Sequence, residues 1–142
     1  FVGDAVIGYF VHQSSLISAD NAIGAAKSMI KIIEEGINPI LNQYDYPDLF
    51  VKIGIDFGTN MIVRYGSDAE KSHVDLLGPA MNIAAKIQSM AKANQILIGS
   101  DVCKRLHPTS QKDFKKIIWQ NDEWNYRSRH TGEIYQVFEY QG

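Results

Sequence analysis

Apolar positions along the chain change period several times, and each change marks a new element. Val2 to Val11 is rich in β-branched and aromatic residues, with Gly3-Asp4 near its start. This reads as a hairpin: a strand ending near Val2, a turn at Gly3-Asp4, and a strand from Ala5 to Phe10. The period then becomes helical. Ala22, Ala26, Met29, Ile33 and Ile37 share one face, and Ser18-Ala19-Asp20 offers N-caps before them. Gly36 and Pro39 predict a kink or break near the end of that helix.

Alternation returns at Phe50 to Phe57, where Val51, Ile53 and Ile55 face one way. Gly58-Thr59-Asn60 reads as a turn and Met61 to Tyr65 as the returning strand of a second hairpin. Gly66 to Ser72 is polar and reads as a loop. Pro79 suits the first turn of a helix that runs to about Ala91. Gln95 to Gly99 is a short apolar strand, and Ser100 caps a short helix ending near Leu106. Lys116 to Trp119 and Ile134 to Tyr140 are strand-like, with turn signals at Asn121-Asp122 and Thr131-Gly132. The order predicts an α+β sandwich in a single domain, residues 1–142, with helices covering one face of a mostly antiparallel sheet. With a strand and a helix ahead of Phe1, the core would be a ferredoxin-like βαββαβ unit.

Composition narrows the function classes. A chain of 142 residues with 45% apolar and 21% charged residues is an ordinary globular domain. Its net charge of -2 lacks the basic excess of a nucleic-acid binder. The Lys115-Lys116 pair reads as a solvated patch. The single cysteine, Cys103, reads as a half-buried helix residue and suits a reducing, cytoplasmic setting. No apolar run reaches the ~20 residues of a membrane helix. His12, His73, His107 and His130 lack zinc spacing, and there is no phosphate-binding Gly-x-x-x-x-Gly-Lys loop. Asp56 reads as a solvent-facing strand residue, and Trp119 and Trp124 as packing residues.

Three collinear segments carry more. The first is Phe1-Val-Gly-Asp-Ala-Val-Ile-Gly-Tyr-Phe10. The second runs from Lys52-Ile-Gly-Ile-Asp-Phe-Gly58 to Gly66. The third is Asp75-Leu-Leu-Gly-Pro-Ala-Met-Asn-Ile-Ala-Ala-Lys86, followed by Gln95-Ile-Leu-Ile-Gly-Ser100. Together with the ending Thr131-Gly-Glu-Ile-Tyr-Gln-Val137, they resemble the class III adenylyl and guanylyl cyclase catalytic domain over nearly the whole chain. Each motif is weak alone, and their order and spacing make them specific.

The resemblance implies a site shared by two protomers of a homodimer. One would supply Asp4 as one of two metal-binding aspartates. The other would supply Asp75 to read the base, Asn82 to hold the ribose and Lys86 to meet the phosphates. Hard cations favour carboxylate oxygen, so two Mg²⁺ or Mn²⁺ ions per site are expected. Asn82 and Lys86 are four residues apart and lie on one helix face, which Ser89 continues. Without the resemblance, Asp4 is a turn residue, Asp75 a helix-capping aspartate, and Asn82 with Lys86 a solvent-facing stripe. Asp75 can accept from the adenine amino group, so the expected reaction is ATP to 3′,5′-cyclic AMP and pyrophosphate. Lys86 stands where the family places arginine. Lysine lacks the planar fork, which implies a slower enzyme. The family's first strand and helix, with the other metal aspartate, would precede Phe1, so the chain alone is expected to be inactive or nearly so. An attached sensor or regulatory domain is expected in the parent chain. A nucleotide-binding regulatory domain without turnover, or an interaction module without a nucleotide site, are the rival readings.

Overall fold

The computed structural model describes residues 4–11, 13–66 and 73–142. Helix α1 (Ser15–Ile32) runs into a π-helical turn (Ile33–Ile37) and then α2 (Asn38–Gln43). Strands β1 (Lys52–Ile55), β2 (Met61–Tyr65) and β3 (His73–Leu77) follow, then α3 (Pro79–Met90) and β4 (Gln95–Gly99). Two short helices, α4 (Ser100–Cys103) and α5 (Pro108–Gln111), lead to β5 (Phe114–Lys116) and β6 (Val137–Tyr140). The α+β class expected from the element order is what the structure shows.

The strands form a four-stranded sheet in the order β1-β4-β6-β5 and a separate two-stranded sheet of β2 and β3. β1 pairs with β4 in parallel, Ile53 opposite Ile96 and Ile55 opposite Ile98. β6 pairs antiparallel with both β4 and β5. The expected hairpin between 50–57 and 61–65 is therefore not formed: the chain leaves the main sheet at Asp56, and β2 pairs antiparallel with β3 instead. The reason is local. Asn60, read as a turn residue, accepts the Met81 backbone N–H through its Oδ1 at 3.2 Å, so the turn is committed to the start of α3.

β4 is the centre of the core. Ile96 and Ile98 join Ala19, Ile23 and Ala26 of α1 in one cluster with Val102, Leu106 and Phe114. Leu97, on the opposite face, joins Ile87 and Ala91 at the α3 end, with Val137, Tyr135 and Trp124. Helices thus cover both faces of this strand rather than one. A strand apolar at consecutive positions is built for that burial. Ile87, Ile96, Leu97, Ile98, Val102 and Val137 are fully enclosed, each contributing about 1.5–3 kcal/mol of burial. The approach of α3 to β1 depends on Gly54, where an added Cβ would collide with the backbone of Ala84 and Gln88.

The first helix begins at Ser15, ahead of the Ser18–Asp20 caps, and Ser18 is instead buried and donates to the Ser14 carbonyl at 3.2 Å. Its buried face is Ala19, Ala22, Ile23 and Ala26, while Met29 and Ile37 are exposed. The kink expected at Gly36–Pro39 is realised as the π-helical turn. Asn38 holds the chain after α2 by a reciprocal pair, its amide donating to the Leu49 carbonyl and its Oδ1 accepting the Leu49 N–H. The strand expected at Ala5–Phe10 is not formed: residues 6–11 carry no regular structure and their side chains are exposed. No strand assigned among the described residues pairs with them. The first arm of that hairpin, and the loop at 67–72, lie outside the described residues.

Candidate active site

The sequence singled out Asp4, Asp75, Asn82 and Lys86, and all four are exposed. Asp75 lies on β3, opposite Val63 of β2, rather than in a loop. Its Oδ1 accepts the Leu76 N–H at 2.8 Å, which leaves the carboxylate with other lone pairs facing out. It does not cap α3. That task falls to Asn60, and a Cβ at Gly78 would collide with the Asn60 side chain and backbone. Strand β3 was missed because its polar surroundings mask its short alternation.

Helix α3 presents Asn82, Lys86 and Ser89 to solvent while Ala80 and Ile87 face inward. The stripe expected from four-residue spacing is therefore present. Ser89 Oγ donates to the Lys86 carbonyl at 2.6 Å. The Lys86 Nζ stands 5.5 Å from the centroid of the Tyr126 ring, a cation–π distance. Asp4 sits at a turn. Among the described residues no group of three or more His, Cys, Asp or Glu side chains is placed to hold a metal ion. Asp4 fits as one hard oxygen ligand for Mg²⁺ or Mn²⁺, and a single carboxylate does not make a complete site.

Asp56 is where the sequence reading fails. It lies just past β1, half-buried, and its Oδ1 accepts the Tyr135 hydroxyl at 2.6 Å. Burial pushes its carboxyl up to about 6, against the Tyr135 and Phe57 N–H hydrogen bonds that lower it; Asp101 raises it and Arg105 lowers it less strongly. Burial and the neighbouring Asp56 push the Tyr135 phenol far above its ordinary range. The Tyr135 hydroxyl also accepts the Asp101 backbone N–H at 3.1 Å, at the start of α4.

Tyr135 belongs to an aromatic row. Its ring meets Tyr126 edge-on at 5.7 Å, Tyr126 meets Trp124 at 6.1 Å, and Trp124 stacks on Trp119 at 5.9 Å. The Trp124 indole donates to the Tyr135 carbonyl at 2.7 Å. Both tryptophans are packing residues, as their setting in the sequence suggested. Cys103 is half-buried at the end of α4, and burial raises its thiol. No helix of the described residues is long and apolar enough to cross a membrane.

This fold is that of a nucleotide cyclase catalytic domain. The sequence profile of the Adenylate and Guanylate cyclase catalytic domain family matches residues 3–138, and the chain belongs to that family. Among curated proteins it is similar to a cytidylate cyclase of Staphylococcus aureus, 33% identical over 110 residues, covering 73% of this chain and 26% of that one. It is also similar to a cytidylate cyclase of Escherichia coli, 32% identical over 108 residues, covering 71% and 24%. The chain thus spans about a quarter of these relatives' length. Among solved structures it resembles the guanylyl cyclase Cya2 with a TM-score of 0.72 at 16% identity, covering 94% of this chain and 63% of that one. The adenylyl cyclase CyaB of P. aeruginosa follows the same fold with a TM-score of 0.66 at 16% identity, covering 90% and 61%.

Proposed function

We propose that this domain converts a nucleoside triphosphate whose base carries its amino group at the adenine N6 or cytosine N4 position to its 3′,5′-cyclic monophosphate and pyrophosphate, as half of a homodimer. Cytidine triphosphate is the favoured substrate and ATP the second. The observation that carries the reading is the stripe of Asn82 and Lys86, open to solvent on a helix whose other side is buried, one turn beyond the strand that exposes Asp75.

The ribose 3′-hydroxyl gives up its proton to solvent as its oxygen attacks the α-phosphorus, the bond from the α-phosphorus to the bridging oxygen of the β-phosphate breaks, and pyrophosphate leaves. Negative charge shifts onto phosphate oxygens along the way, and a fixed ammonium there lowers the barrier. Lys86 supplies that ammonium. Asn82 donates to and accepts from the ribose. Asp4 provides one carboxylate to a divalent ion, Mg²⁺ or Mn²⁺, which when bound neutralises triphosphate charge.

Asp75 bears on the base. A carboxylate accepts from an amino group and repels a carbonyl. Adenine N6 and cytosine N4 are both amino groups, while guanine and uracil present carbonyl oxygen at the corresponding position. Asp75 therefore supports ATP and cytidine triphosphate alike. The two curated relatives described above are named cytidylate cyclases, which favours cytosine. Large apolar side chains left exposed at Val6, Tyr9, Met61, Ile62 and Tyr65 suit a surface covered by a second copy.

The test is incubation of the full-length protein with each of the four ribonucleoside triphosphates and Mn²⁺ or Mg²⁺, with cyclic products identified by mass spectrometry. Cyclic CMP is expected. Cyclic AMP would support the second substrate, and cyclic GMP or UMP would overturn the role of Asp75. Binding without product would make this a regulatory nucleotide-binding domain. Neither binding nor product would leave an interaction module.

A further inference from the structure

Lys86 has a flexible four-carbon stem and a point charge, so it holds position poorly unless something fixes its head group. The structure supplies a fixed surface. The Tyr126 ring lies 5.5 Å from the Lys86 Nζ and is itself held on several sides. Its carbonyl accepts the Tyr135 N–H at 2.8 Å, and the next residue, Arg127, bridges Ile134 across the same turn. Its ring is gripped between Tyr135 at 5.7 Å and Trp124 at 6.1 Å. Tyr135 is tied in turn to Asp56 through its hydroxyl and to the floor of the sheet through burial. The ring therefore has little freedom, while the lysine has much.

We propose that Tyr126 is a positioning residue for the cyclase reaction: its ring face seats the Lys86 ammonium, so that its donors meet the α-phosphate without first being ordered. The inference rests on the function proposed above. A ring takes one side of an ammonium and leaves N–H groups for phosphate oxygens, so the two contacts coexist. It also bears on the missing arginine fork, because the ring restores by packing some of the order that a planar guanidinium has intrinsically.

The experiment compares Tyr126→Phe and Tyr126→Leu in the full-length protein by steady-state kinetics, alone and in a Lys86→Ala background, with NMR of the Lys86 ε-methylene. Tyr126→Phe keeps the ring and should retain wild-type kcat. Tyr126→Leu should lower kcat by about two- to fivefold, the size of an exposed cation–π contact, with KM nearly unchanged. In the Lys86→Ala background Tyr126→Leu should have no further effect, whereas a folding defect would lower both. The Lys86 ε-protons should sit upfield in wild type and Tyr126→Phe and lose that shift in Tyr126→Leu. Wild-type kcat in Tyr126→Leu, equal losses in both variants, or an unshifted ε-methylene would overturn the proposal. A wild type that makes no cyclic product would remove the catalytic role, and the ring-current shift would then report the contact separately from that failure.

Discussion

Asp56 carries a proton that burial decides. In the folded chain its carboxyl is pushed up to about 6, against 3.8 for an ordinary aspartate. Folding thus favours the protonated form. Its contribution is complete below pH 3.8 and is lost as pH rises through 6, amounting to up to about 3 kcal/mol across that window. Asp56→Asn keeps an oxygen for the Tyr135 hydroxyl and never ionises. Its melting temperature should therefore gain on the wild type between pH 5 and pH 8, and an equal offset at both pH values would contradict the burial of this group. Lys86 makes a second prediction at this scale. If the missing fork limits the rate, Lys86→Arg should raise kcat, and an unchanged or lower kcat would show that the ammonium suffices. Neither the Asp56–Tyr135 pair nor the Lys86–Tyr126 contact was legible in the sequence. Each joins positions far apart along the chain, and no local period encodes that.

At the scale of elements, the seam between α3 and β1 is the tightest contact near the stripe. Gly54→Ala should cost about 1–3 kcal/mol in urea unfolding, because the new methyl would drive α3 away from the sheet. Gly24 is the control: it lies in α1 with open space around it, so Gly24→Ala should stabilise by about 0.5–1 kcal/mol. Equal effects at the two glycines would contradict the close approach. The sequence was informative wherever one element could be read by itself. The run Ile96-Leu97-Ile98 announced a buried strand, and Pro79 with the apolar positions after it announced α3. It failed where pairing decided the outcome. Met61–Tyr65 looks like the return of a hairpin with β1, yet Asn60 is drawn to the start of α3 and the strand pairs with β3. The Ala5–Phe10 segment has β composition but pairs with no assigned strand among the described residues, and composition alone does not make a sheet.

At the scale of the whole molecule, Asp4 on one side and Asp75, Asn82 and Lys86 on the other share no hydrogen bond or ion pair among the described residues. In the proposed homodimer, two-fold symmetry would bring Asp4 of one copy to Asp75, Asn82 and Lys86 of the other, twice. Specific activity should then rise with protein concentration towards a plateau. The family and its architecture were legible from collinear motifs; the base was not, because a carboxylate at Asp75, in the role proposed for it, would accept from the amino group of adenine and of cytosine alike. The most direct measurement mixes two variants of the full-length protein, Asp4→Ala and Lys86→Ala, each assayed alone and then together for cyclic nucleotide. The account predicts that each alone is nearly inactive, and that the mixture recovers up to about a quarter of wild-type activity through heterodimers with one intact site. A mixture as inactive as its parts, or either variant fully active alone, would contradict a catalytic site built from these residues across two chains.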